Sequence, residues 1–258
     1  MSLRNNGKQK EGITIETKRL NGNCAEDIVI AAELLKNGGL VAIPTETVYG
    51  LAADATNGAA VERIFKAKGR PQDNPLIVHI SSYEQLERLV SHIPEHAKRL
   101  METFWPGPLT VILPKSNLIP DQVSAGLPTV AVRLPSHPVA RAVIQEAGVP
   151  LAAPSANVSG SPSPTAAAHV LHDLDGKIDA VIDGGPCTIG LESTVITLAE
   201  ETPVLLRPGA VTLEQLQQVL GTVKMADAVL HQLKQGSVAA SPGMKYKHYA
   251  PKADLTLV

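Results

Sequence analysis

The feature that most constrains the fold is a succession of short apolar runs, at residues 40–44, 76–80, 109–113, 129–134, 149–153, 180–182, 194–198 and 204–206, with Gly or Pro close to their ends. Runs this short, bounded by breakers, read as buried strands. Between several of them lie segments with apolar residues at helical spacing. Ile28, Ala31, Ala32 and Leu35 share one face after Asn23, which can cap, and Gly38-Gly39 stops that helix. Val61, Ile64 and Phe65 recur after a capping Asn57, and Gly69 ends the helix at Lys68. Ser81-Ser-Tyr-Glu84 has capping-box spacing ahead of Leu86, Leu89 and Val90, a further helix spans 139–147, and Pro164 with Ser163 as cap opens one reaching Leu171. Thr212-Leu-Glu-Gln215 fits a second capping box, for a helix through Leu220. Some strands follow each other directly and others are separated by helices, so the expectation is an α/β fold with a mixed sheet in one domain.

Bulk properties permit such a fold and weigh against some functions. With 258 residues, 44% hydrophobic and 19% charged, the chain can bury a full core. A net charge of −2 and 3% aromatic residues give neither the field nor the stacking platform of a nucleic-acid-binding module. Cys24 and Cys187 are too few for a Cys-rich zinc site and read as reduced intracellular thiols. No apolar stretch reaches membrane length and no signal-peptide pattern appears, so a cytoplasmic protein with no membrane partner is expected.

Chemistry concentrates in Lys66-Ala-Lys-Gly-Arg-Pro-Gln-Asp-Asn-Pro-Leu-Ile-Val-His79. The helix end delivers Lys66, Lys68 and Arg70 close together, where like charges repel unless an anion sits among them. A polyphosphate suits that spacing, although cations in a helix's last turn are ordinarily just solvated. Other blocks are turns or strand ends rich in small hydroxyl residues, Gly and Pro: Pro44-Thr-Glu-Thr-Val-Tyr-Gly50, Trp105-Pro-Gly-Pro-Leu-Thr110, Thr129-Val-Ala-Val-Arg133, Ala153-Pro-Ser-Ala-Asn157, Gly190-Leu-Glu-Ser-Thr194, Leu206-Arg-Pro-Gly209 and Ser241-Pro-Gly-Met-Lys-Tyr-Lys-His-Tyr-Ala-Pro251. Loops at strand ends are where sites of open α/β sheets are assembled.

With these blocks in order from about residue 13 to residue 251, the sequence resembles the threonylcarbamoyl-AMP synthase family, whose catalytic unit is the YrdC-type domain. The resemblance implies a three-layer, twisted, open mixed sheet flanked by helices. It also implies condensation of L-threonine, bicarbonate and ATP, with Mg²⁺ accompanying the nucleotide, to threonylcarbamoyl-adenylate and pyrophosphate. The product serves N6-threonylcarbamoyladenosine modification of tRNA, through downstream transfer proteins and with tRNA itself as a further potential partner. In domain terms the expectation is an N-terminal disordered extension (1–12), the catalytic domain (13–220), a linker or lid (221–251) and the start of a truncated or missing C-terminal domain (252–258).

The same resemblance assigns residues. Arg70, Asn74, Thr129, Ser155, Ser163, Arg207 and Tyr246 correspond to ATP contacts, with Tyr249 a near neighbour of the last, and Lys66, Lys68 and Arg70 form the catalytic cation set. Thr47, His79, Arg133, Ala153 and Ser193 correspond to threonine contacts. The guanidinium fork of Arg133 suits a carboxylate. No protein side chain is assigned to metal: His92 and His96 flank Pro94 without a third ligand, and they and the His169/His172 pair read as surface residues. Pro-Ser-Ala-Asn around Ser155 lacks the nucleophile elbow of a serine hydrolase. Two other readings remain. A double-stranded RNA or tRNA-binding module would use only the 66–70 cations. A carbamoyl-adenylate-forming transferase of the hydrogenase-maturation type would need zinc-finger Cys pairs that this sequence lacks.

Overall fold

The computed structural model describes residues 16–227. In chain order these form β1 (Lys18–Asn21), α1 (Ala25–Lys36), β2 (Val41–Ile43), β3 (Gly50–Asp54), α2 (Gly58–Lys68), β4 (Ile77–His79), α3 (Tyr83–Leu89), α4 (Glu95–Phe104), β5 (Leu109–Pro114), α5 (Asp121–Ser124), β6 (Thr129–Arg133), α6 (Pro138–Ala147), β7 (Leu151–Ala152), α7 (Ala167–Leu174), β8 (Ala180–Asp183), β9 (Thr194–Thr197), β10 (Val204–Arg207), α8 (Leu213–Leu220) and β11 (Lys224–Met225). The expected N-terminal extension, the residues of the linker beyond 227 with Tyr246 and Tyr249, and residues 252–258 lie outside the described residues.

All the strands join one sheet in the order β1-β8-β2-β3-β7-β4-β6-β5-β9-β10-β11. The sheet is mixed: β4/β6 and β5/β9 run parallel, whereas β2/β3, β3/β7 and β5/β6 run antiparallel. Strand alternation sends successive side chains to opposite faces. Leu40 and Ala42 therefore join the larger core, under α2, α3, α4, α7 and α8, while Val41 and Ile43 join a second core under α1 and α6. The three-layer, mixed α/β fold expected from sequence is what forms.

On another part of the second face Ile77, Ile112, Ala131, Val195 and Leu206, all buried, form a small apolar cluster of their own on β4, β5, β6, β9 and β10, with Val204 and Ala226 packed against it. Because β4 and β6 are in parallel register, with Ile77 beside Ala131 and His79 beside Arg133, that face also carries His79 and Arg133.

Several boundaries differ from the sequence reading for local reasons. Asn23 does not cap α1; Cys24 is at the N-cap and makes no side-chain cap, and the Asn23 N–H instead donates to Asn21 Oδ1 at 2.9 Å. Ser82 rather than Ser81 caps α3, receiving Gln85 N at 3.4 Å, while Gln85 Oε1 accepts the Ser81 N–H at 2.8 Å. The helix expected from Pro164 starts later, at Ala167, because the Pro164 carbonyl is taken by Tyr49 N (2.8 Å) and Ser163 faces Glu192. Strand 149–153 shrinks to Leu151–Ala152, since Pro150 and Pro154 cannot donate to a ladder. By contrast Asn57 caps α2, Gly69 closes it at φ 61°, and Thr212 with Gln215 forms a complete capping box. Unforeseen elements are β1, β3, α4, α5 and β11; β3 reads Gly-Leu-Ala-Ala-Asp, which has no polar alternation because both its faces are buried. Among the described residues no helix is long and apolar enough to cross a membrane.

Candidate active site

A cavity of about 280 Å³ lies beside the apolar cluster that includes Ile77, where the ends of β4, β6 and β10 meet the turns after β2, β7 and before β9. Its wall carries three guanidiniums, Arg70, Arg133 and Arg207, and one carboxylate, Glu192. An excess of fixed positive charge around a partly enclosed space attracts a polyanion.

The turn after β2 is built by Thr45. Its hydroxyl receives the N–H groups of Thr47 and Val48, each at 3.2 Å, and donates to the Val48 carbonyl at 2.7 Å, a side-chain-organised turn. Thr47 is thereby fixed, fully buried, where its Oγ1 accepts from Arg133 Nη1 at 2.8 Å. Arg133 Nε donates to the carbonyl of Gly107 at 3.2 Å, so the Trp-Pro-Gly-Pro turn serves to hold this guanidinium. Arg133 Nη2 lies 2.6 Å from the Glu46 carboxylate, which also accepts from Ser136 N at 3.2 Å. Burial alone would raise the Glu46 carboxyl, but the Arg133 charge and its hydrogen bonds outweigh that and hold it below the usual range.

His79 is buried beside Arg133, and its Nδ1 has no partner among the described residues. Burial and, secondly, Arg133 depress its pKa to about 3, so it presents a neutral imidazole to the cavity. Ser193 Oγ lies 2.7 Å from Thr110 Oγ1 and accepts from Arg207 Nη2 at 3.1 Å, while Arg207 Nε donates to the Ser193 carbonyl at 3.0 Å. Burial lowers Arg207 to about 10, with Glu192 opposing and Arg133 and Arg70 adding to the fall, so it stays charged at neutral pH.

Of the residues singled out from sequence, Arg70, Ser155, Arg207, Thr47, His79, Arg133, Ala153 and Ser193 line this one cavity. Lys66, Lys68, Asn74, Thr129 and Ser163 do not. Lys66 is exposed on the last turn of α2 and Thr129 starts β6 opposite Pro114. Ser163 stands one step behind the wall, its hydroxyl donating to Glu192 Oε1 at 2.5 Å. Asn74 is fully buried, its side-chain N and O both without a hydrogen-bond partner among the described residues, and the Arg70 guanidinium approaches its backbone carbonyl at 3.4 Å. Lys68 is likewise buried and donates to the carbonyls of Ser155 and Asn157, both at 2.5 Å. Its ammonium clasps the Pro-Ser-Ala-Asn turn to α2 and is kept from a ligand in the cavity. Among the described residues no cluster of three His, Cys, Asp or Glu side chains is placed to hold a metal. Of the remaining histidines, His92, His169 and His172 are exposed, while His96 is half-buried.

Sequence reasoning did not single out Glu46 and Glu192, although both sit inside quoted blocks. A lone Glu in a turn reads as solvated, and nothing local reveals that the partner of Glu46 is Arg133 or that of Glu192 is Ser163.

A sheet of this order with an arginine-walled cavity at its strand ends places the chain among mixed α/β proteins whose site is assembled from strand-end loops. The Sua5/YciO/YrdC family model, described as "Telomere recombination", matches residues 33–209, and a second, described as "Threonylcarbamoyl-AMP synthase, C-terminal domain", matches residues 211–258. The chain belongs to the Sua5/YciO/YrdC family. It is 55% identical over 231 residues to the threonylcarbamoyl-AMP synthase of Pyrococcus abyssi, covering 90% of this chain and 67% of that one. It is 53% identical over 251 residues to the threonylcarbamoyl-AMP synthase of Bacillus subtilis, covering 97% and 71%. The crystal structure of P. abyssi Sua5 complexed with L-threonine superposes with a TM-score of 0.87 at 54% identity, over 93% of this chain and 70% of that one.

Proposed function

We propose that this protein is an L-threonylcarbamoyladenylate synthase, a nucleotidyltransferase that joins L-threonine, bicarbonate and ATP and releases pyrophosphate. The observation that carries the reading is the division of one cavity into two chemistries. Arg70, Arg207 and Ser155 offer charge and hydroxyl to a triphosphate. Thr47, His79, Arg133, Ala153 and Ser193 form a tighter, more buried group suited to an amino acid, and a relative of 54% identity was crystallised with L-threonine.

In this reading the chemistry is largely positional. Threonine condenses with bicarbonate to N-carboxythreonine, whose carbamate oxygen attacks the α-phosphorus of ATP. The P–O bond to pyrophosphate breaks, and Arg70 and Arg207 stabilise the charge that moves onto the leaving group. Arg133 keeps N–H donors on its terminal nitrogens for the substrate carboxylate, and neutral His79 offers a hydrogen bond without adding repulsive charge. Mg²⁺ would accompany ATP and help neutralise its phosphates; among the described residues the wall has one carboxylate, Glu192, to offer it, so the phosphates and water would supply most of its ligands. Cytoplasmic location and hand-over to tRNA-modifying partners belong to the same proposal.

The test is pyrophosphate release with threonine, bicarbonate and ATP each omitted in turn. Turnover requiring all three is expected, and equal release without threonine would overturn the reading.

A further inference from the structure

Carbamate formation requires a free amine, yet an amino acid arrives at neutral pH as an ammonium with no lone pair. A group in the cavity that takes this proton would free the amine where it reacts. Glu46 lies behind the wall, outside the cavity lining, and is already paired with Arg133. Tyr49 is also outside it, its hydroxyl donating to the Gly185 carbonyl at 2.7 Å. His79 lines the cavity, but its neutral, buried imidazole offers no negative charge to hold an ammonium.

Glu192 is different in three respects. It is the one carboxylate in the described wall. Its Oε1 accepts from Ser163 Oγ at 2.5 Å, and no hydrogen bond from a described residue reaches Oε2. Its loop is pinned to the amino-acid half of the cavity: Gly190 N donates to the Thr47 carbonyl at 3.1 Å, Ile189 N to the Glu46 carbonyl at 2.9 Å, and Thr194 N to the Pro108 carbonyl at 3.0 Å. The backbone that carries the carboxylate is therefore fixed against the Thr47 turn, and its next residue, Ser193, is one of the hydroxyls that the amino acid would meet.

We propose that Glu192 binds the ammonium of the amino-acid substrate through its carboxylate and accepts the proton that nitrogen must lose. The step balances as R–NH₃⁺ plus carboxylate giving R–NH₂ plus carboxylic acid. The amine lone pair then forms the N–C bond with bicarbonate, giving R–NH–CO₂⁻ and water, and the carboxylic acid returns its proton to solvent. The guanidiniums of Arg70, Arg133 and Arg207 oppose a further cation in the cavity and so favour the neutral amine once the proton has left.

This inference rests on the amino-acid substrate proposed above, and the experiment separates the two. Pyrophosphate release is measured from pH 6.5 to 9.5 for the native chain, Glu192→Gln and Glu192→Asp, each with and without threonine, with nucleotide binding as the check of folding. At pH 7 the Gln variant should be about a hundredfold slower. The deficit should narrow to a few-fold as rising pH frees the amine without help, with the Asp variant in between at every pH. A deficit constant with pH, or one abolished at pH 7 by added Mg²⁺, would overturn the role of Glu192 while native threonine-dependent turnover stands. If the Gln variant fails to bind nucleotide, the Asp variant's profile decides by the same criteria. Threonine-independent release by the native chain would instead overturn the underlying reading.

Discussion

The guanidinium of Arg133 and the carboxylate of Glu46 lie 2.6 Å apart with side-chain exposures of 4% and 7%. The pairing gives Arg133, at the end of β6, a counter-charge on the turn after β2, so a buried cation can wait in the cavity wall. Replacing one partner leaves the other as a buried uncompensated charge. Glu46→Gln, which keeps an acceptor for Ser136 N, should cost about 3–5 kcal/mol. Urea denaturation at neutral pH checks this. Glu46 is held below the usual carboxylate range, so its stabilisation is complete above about pH 4.5 and is lost as pH falls through its folded value. The native chain's advantage over the variant should therefore fade on acidification, and an unchanged difference would count against the pair.

Arg133→Lys and Arg70→Ala should separate the two halves of the cavity. A lysine has a point charge where Arg133 uses three different partners, Thr47, Gly107 and Glu46, so threonine affinity should fall much more than ATP affinity. Arg70→Ala removes a cation placed to stabilise the leaving pyrophosphate and should cost about 2–4 kcal/mol in the transition state, with threonine binding largely kept. Calorimetric titration with each ligand, beside turnover, measures both, and equal losses for the two ligands in Arg133→Lys would refute the division.

The family resemblance named the site's residues, and breakers and alternation account for where two of its arginines fall. Asn57, Gly69 and the two prolines at 71 and 75 mark where α2 must release the chain, which puts Arg70 at a strand entrance, and the alternation Thr-Val-Ala-Val-Arg sends Arg133 to the face opposite Val130 and Val132. The sorting of the cations was not legible. Lys68 and Arg70 are two apart, and only the position of the Ser155–Asn157 turn, far away in sequence, decides that Lys68 is engulfed by carbonyls while Arg70 reaches the cavity. Charge patterns show which residues leave the helix together; long-range packing determines which of them meet solvent.

His79 should titrate far below an ordinary histidine. Its folded pKa is near 3 because burial and Arg133 disfavour the imidazolium, so it is neutral throughout the working range. Its ring resonances in an NMR titration should not move between pH 5 and 8. The unfolded chain protonates this histidine near 6.5, so it erodes stability progressively as pH falls from about 6.5 toward 3. A His79 midpoint above pH 5 would remove the neutral imidazole from the mechanism.

Gly209→Ala should damage the site through backbone alone. A Cβ there would stand 2.5 Å from Thr194 N and 2.7 Å from the Glu192 carbonyl, backbone atoms with no rotamer to turn away. The Leu-Arg-Pro-Gly turn would have to separate from the Gly-Leu-Glu-Ser turn, shifting Arg207 relative to Ser193. A stability cost of about 1–3 kcal/mol is expected, together with a fall in turnover of roughly tenfold or more, since small displacements of positioned groups are costly. Native turnover in the variant would show that the two turns are not held in register by this contact.

Lys68 gives the last prediction, in which pH and packing act together. Burial, with Arg70 adding to it and Asp173 opposing, brings its pKa from 10.5 to about 7. A neutral amine still has two N–H groups for the Ser155 and Asn157 carbonyls, so deprotonation relieves the buried charge without breaking the clasp. The unfolded chain keeps its proton up to about 10.5 while the folded chain releases it near 7, so this residue's contribution to stability is complete above about 10.5 and lost as pH falls through 7. Lys68→Met removes both donors and leaves two carbonyls unpaired, at about 1–3 kcal/mol each, and it also removes the titration. Urea denaturation from pH 6 to 10 should show the native chain gaining stability on the variant as pH rises. The same variant should lose turnover through a displaced Ser155 while Arg70 and the amino-acid residues stay in place, so nucleotide affinity should fall more than threonine affinity. A difference between the two chains that does not change with pH would show that Lys68 keeps its charge, and the clasp would then be an ordinary buried ammonium.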